Sequence, residues 1–129
     1  AGLGVAAFGM VSPSKPATWQ VHTNDVPHFS VEFPGEPHSI SRGPSTELFL
    51  DNYEVLYGTL TTDEVTWLSK VIKPDAATET LQSTPHERYL RMRNGYVRAV
   101  VDRGTGYLIV SRGTGANAKR FTDSFHILE

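Results

Sequence analysis

Five cationic or aromatic side chains stand at alternating positions over residues 89–98: Tyr89, Arg91, Arg93, Tyr96 and Arg98. Alternation places every second residue on one side of an extended chain. A hairpin here would therefore present guanidinium and phenol groups together. Tyr and Arg concentrate where proteins grip other proteins, and arginines also meet anionic headgroups. We expect this patch to contact a protein partner.

Other motifs promise less chemistry. Residues 113–118 (GTGANA) have the letters of a dinucleotide fingerprint. That site needs a strand–helix–strand unit and an acid about twenty residues further on, and only eleven residues follow Ala118. R-G-T-G occurs at 103–106 and again at 112–115. We read both copies as turns at strand ends, with anion binding by their backbone N–H groups as the alternative. Ser12-Pro13-Ser14-Lys15 spells S-x-x-K, but in a proline-rich setting and without the partner motifs of a serine acyl-enzyme. The histidines (His22, His28, His38, His86, His126) have no i,i+2 or i,i+4 spacing, and His86-Glu87 does not continue to H-E-x-x-H. Glu32 and Glu36 flank Pro34-Gly35 and read as a solvated turn. We expect no catalytic residue, no metal ligand and no cofactor.

The chain has 129 residues, no cysteine and a net charge of -2. That is one domain's length. Without cysteine there are no disulfides, zinc–thiolate sites or thiol nucleophiles. The small negative charge argues against nucleic-acid binding. Charge is unevenly distributed: residues 1–64 hold two bases against eight acids, and residues 65–129 ten bases against six acids. Nowhere do eighteen apolar residues run together. Residues 1–11 (AGLGVAAFGMV) are nevertheless apolar and uncharged. As a helix they would span about 16 Å, roughly half a bilayer's hydrocarbon core. We expect Leu3, Val5, Phe8 and Met10 to tether the protein to a membrane or large complex. The segment and a Pro-rich linker make up residues 1–18, and a single folded domain makes up 19–129.

Within that domain, Phe29, Val31 and Phe33 alternate with polar residues, which predicts a half-buried strand ended by Pro34-Gly35. Strands are also predicted over 46–50 and 53–60. Residues 65–72 (VTWLSKVI) carry β-branched and aromatic residues that favour a strand, against a helix with a capping box at Thr61 and Glu64. A short helix is predicted over 75–82. Asn94-Gly95 predicts a two-residue hairpin turn with positive φ at both positions. That turn sets Arg93 opposite Tyr96 and Arg91 opposite Arg98, with Leu90, Met92, Val97, Ala99 and Val101 on the core face. A third strand follows over 107–111, completing a meander. Ala118, Phe121 and Phe125 then form the apolar stripe of a closing helix. The expected fold is α+β: an antiparallel sheet of about 5–7 strands with one or two helices on one face.

FSVEFPGEP (29–37), the meander with Tyr107 opening its last strand, and FTDSFHIL (121–128) resemble a group of small exported bacterial domains. Those open on an F-S-V-x-F-P-G-x-P strand and close on F-x-x-S-F-x-L. Their fold is similar to the Mog1/PsbP/DcrB-like sandwich. The resemblance implies an extracytoplasmic, periplasmic or cell-surface domain without a known active site. It implies an accessory or stabilising subunit docked on a larger, membrane-associated complex. A small-ligand or anion-binding module is the second reading.

Overall fold

The computed structural model describes residues 18–72 and 79–128. The predicted tether residues Leu3, Val5, Phe8 and Met10, most of the linker, and the first part of the helix predicted over 75–82 lie outside them. Ten strands and two helices are described. β1 is Gln20–Asn24, β2 Phe29–Phe33, β3 His38–Arg42, β4 Ser45–Leu50 and β5 Tyr53–Thr59. Then come α1 (Glu64–Val71), β6 (Glu79–Thr84), β7 (Glu87–Met92), β8 (Gly95–Asp102), β9 (Thr105–Arg112), α2 (Ala116–Asp123) and β10 (His126–Ile127).

Seven strands form one antiparallel sheet in the order β3-β4-β5-β9-β8-β7-β6. The hairpins β3–β5 make one half and the meander β6–β9 the other, joined where β9 pairs with β5. A three-stranded sheet, β10-β2-β1, lies against it. The fold is α+β, as expected.

Alternation in β2 explains the packing. Phe29, Val31 and Phe33 are fully buried and meet Val55, Tyr107 and Ile109 of the large sheet and Phe121 and Phe125 of the closing segment. Each such side chain contributes about 1.5–3 kcal/mol by leaving water. Phe29 sits 5.6 Å from Tyr107 and Phe33 5.0 Å from Phe121, ring centre to ring centre. This is the inner face.

The other face of the same strands presents Leu90, Ala99 and Val101, and there α1 packs with Trp67, Leu68 and Ile72. The helices therefore lie on opposite faces of the large sheet, where one face was expected to carry both. Residues 64–71 are helical, not the strand that their β-branched residues favoured. The local reason is Asp63, whose carboxylate accepts the N–H of Thr66 at 2.9 Å and its hydroxyl at 2.7 Å. Such a cap satisfies donors that a helix start leaves open. Glu64 then fixes the first turn by accepting the Gly104 N–H, at 3.1 Å. Residues 79–82, predicted helical, belong to strand β6. Strand β3 (HSISR) was not anticipated, since it is exposed at every position and carries no apolar alternation.

The β7–β8 turn also differs from expectation. Met92 pairs with Gly95, Arg91 with Tyr96 and Tyr89 with Arg98. The turn residues are thus Arg93 and Asn94, and neither Asn94 nor Gly95 has a positive φ. Gly95 is required for another reason: a Cβ there would stand 2.1 Å from the Ser111 carbonyl oxygen of β9. Gly95→Ala should therefore cost about 1–3 kcal/mol by overpacking. Asn94→Ala, in the exposed turn, should change stability by less than about 0.5 kcal/mol. Urea denaturation of both variants checks this.

Candidate functional site

Alternation does put Tyr89, Arg91, Tyr96 and Arg98 on one side of the β7–β8 ribbon, as expected, but that side is the inner face. α2 covers it. Tyr89 and Tyr96 are buried with Ala118 beneath the helix. Arg98, with its side chain 17% exposed, lies 2.5 Å from Glu87. It donates to the carbonyls of Thr122 and Phe125 at 2.9 and 3.1 Å. Those are orphan acceptors at the C-terminal end of α2, where a cation is favoured. The guanidinium also lies 5.3 Å from the Tyr89 ring centre. Arg91 and Arg98 do not face each other, because the register is displaced by one residue on each strand. Arg91 instead meets Glu79 at 3.1 Å. Arg93 alone of the five stands exposed in the turn.

Polar groups in the second half of the closing helix are likewise engaged. The Tyr89 hydroxyl is 2.5 Å from an Asp123 carboxylate oxygen and 2.7 Å from the Thr122 hydroxyl. Burial and the Asp123 contact push the Tyr89 phenol well above its ordinary range. Burial alone would raise the Asp123 carboxyl too, but hydrogen bonds from Lys119 and Tyr89 outweigh it and hold the group below its usual value. Ser124 accepts the Glu32 N–H at 2.9 Å and donates to Phe121, tying α2 to β2. Among the described residues, no three His, Asp or Glu side chains gather as a metal site would require.

The surface left open lies on the outer face. There Met92, Val97 and Val110 line an apolar depression of about 280 Å³, flanked by Arg93 and Arg112. All three are half-buried by their neighbours. The reason is length. An eight-residue helix spans about 12 Å, whereas the eight-residue strands β8 and β9 run about 27 Å. α1 covers the end holding Val101 and Gly106, with Trp67 so close that a Cβ on Gly106 would stand 3.0 Å from its ring. Among the described residues, α1 does not extend over the other end. Met92 and Val97 pack against the Leu68, Ile72 and Leu90 cluster, as their place on the core face predicts; the depression beside them was not foreseen, because coverage depends on where a helix stops.

Toward β4, the outer face carries Glu47 and Glu54. A hydrogen bond shared with Glu47 raises the Glu54 carboxyl above its ordinary range; burial and the Glu47 charge add to this, and Arg112 opposes it. Arg112 stands 3.9 Å from Glu54 and Arg42 3.7 Å from Glu47.

No family model, curated protein or solved structure matches this chain.

Two outcomes follow for these groups. Arg98→Ala leaves Glu87 and two carbonyls without their donor and should cost about 2–4 kcal/mol. Arg91→Ala, at a surface pair, should cost under about 1 kcal/mol; thermal unfolding distinguishes them. For Glu54, a raised folded-state value means the native state holds its proton more tightly than the unfolded chain does. Its contribution is complete below the ordinary carboxylate range and is lost as pH rises through the raised value. Glu54→Gln should therefore melt above the native protein at neutral pH, with the gain vanishing in acid.

Proposed function

We propose that this domain is a non-catalytic accessory subunit that docks on a partner protein through the bare end of its outer sheet face. One observation carries this reading: the depression formed by Met92, Val97 and Val110 on strands whose other ends α1 covers. Sheet faces are normally closed by a second layer, and exposed apolar patches rimmed by polar groups mark interaction surfaces. Charge specifies the occupant. Arg93 makes no ion pair among the described residues, and Arg112 has only the long contact to Glu54. The complementary partner segment inserts an apolar side chain between the strands and sets a carboxylate against Arg93.

Of the five residues first expected to meet a partner, this reading keeps Arg93 at the contact, and Tyr96 is buried on the opposite face. Tyr89 and Arg98 support the fold instead. The extracytoplasmic setting and the membrane-associated complex rest on the resemblance of FSVEFPGEP and FTDSFHIL to exported domains and on the apolar run of residues 1–11. No described helix is long and apolar enough to cross a membrane.

Gentle detergent extraction from the native source followed by size separation tests the proposal. The native chain should migrate with a larger assembly, and Arg93→Glu should weaken that association without changing the melting temperature. Val110→Asp combined with Arg112→Glu should abolish it. Migration of the native chain alone would overturn docking altogether, and retention of both variants in the assembly would remove this face from it.

A further inference from the structure

A second concavity lies at the opposite layer, where four separate segments converge. Trp19 precedes β1, Pro34 follows β2, Asp51 and Asn52 form the β4–β5 turn, and Asn117 and Arg120 come from α2. With Tyr53 they enclose a cleft of about 690 Å³. That falls within the roughly 300–1,000 Å³ of small-molecule sites.

The walls divide by chemistry. Trp19 and Tyr53 meet edge to face at 5.5 Å and supply an aromatic surface. Packing fixes both rings: Tyr53 lies 4.9 Å from Phe121, and the Arg120 guanidinium lies 4.7 Å from the Trp19 ring centre. The remaining wall is polar. The side chains of Asp51, Asn52 and Asn117 make no hydrogen bond among the described residues, and together they offer two amides and a carboxylate. These donors and acceptors are exposed to solvent and stand beside ordered rings.

Charge narrows the ligand class. Arg120, the one cation among the described lining residues, is engaged by Glu32 at 3.1 Å. Asp51 leaves a net negative charge, which opposes an anion. Burial and the Asp51 charge push the Tyr53 phenol above its ordinary range. A purely apolar ligand would displace water from two amides and a carboxylate without replacing its hydrogen bonds, which opposes binding. A molecule with hydroxyls around its rim and C–H groups on its faces satisfies both walls at once, because ring faces take the C–H surface and the amides take the hydroxyls. We propose that this cleft binds a neutral, hydroxyl-rich ligand of the saccharide class. The site is distinct from the docking face, and either reading stands without the other.

The test is an NMR titration of the full chain, labelled with nitrogen-15, using maltose, cellobiose and N,N′-diacetylchitobiose, with inorganic phosphate as the anionic comparison. The chain's two tryptophans give an internal control, since Trp67 lies on the other face against Gly106. At least one disaccharide should move the Trp19 indole signal and the Asn52 and Asn117 amides saturably, leaving the Trp67 indole in place. Trp19→Ala should abolish the amide shifts. Asn117→Ala, at an exposed helix position that leaves folding intact, should weaken affinity about fivefold to tenfold. If none of the three disaccharides moves these signals, or if phosphate moves them more than any sugar does, the proposal is overturned.

Discussion

The short crossover helix is the constraint on which the outer surface depends. Chain leaving β5 must reach β6 at the far edge of the sheet, because β9 returns to pair with β5. α1, eight residues long, is the described part of that connection and packs on the outer face. Asp63 starts it and Glu64 pins its first turn to the β8–β9 turn, so its coverage is fixed at one end of the meander strands. Leu90, Ala99 and Val101 are closed over, while Met92 and Val97 on the same two strands pack only partly against them and, with Val110 of β9, line the depression.

The inner face shows the opposite economy. Every large group there has a partner: β2 supplies three apolar side chains, α2 supplies Phe121, and Phe125 follows. Arg98 closes the end of α2 by meeting two carbonyls and Glu87. A charge with so little exposure is tolerable only because each of its neighbours is complementary. The basic and aromatic composition of β7–β8 therefore serves the fold on this side. Arg93, exposed in the turn, stands outside that network.

Much of this architecture is legible in the sequence. Alternation in FSVEF located β2 and its buried face, and the meander and closing helix were readable from Tyr107 and the spacing of Ala118, Phe121 and Phe125. Alternation also grouped Tyr89, Arg91, Tyr96 and Arg98 correctly on one side, since a one-residue displacement on each strand preserves that parity. It could not say which layer would cover that side, because α2 approaches from twenty residues away in sequence. Residues 65–72 were misread because their β-branched side chains outweighed one aspartate, and the cap decided the outcome. β3 carries no hydrophobic signal and is recognisable only from its pairing with β4. The cleft beside Trp19 joins residues from 19 to 120, so no local pattern could announce it.

Because the chain contains no cysteine, cysteines introduced singly report directly on which part of the outer face is open. Thiol labelling of Val110→Cys and Val101→Cys under native conditions compares the bare and covered ends of the same face. The account predicts fast labelling at 110 and labelling at 101 slowed toward the rate of global unfolding. Equal labelling rates at the two positions in the isolated protein would contradict the claim that α1 leaves one end of this face open.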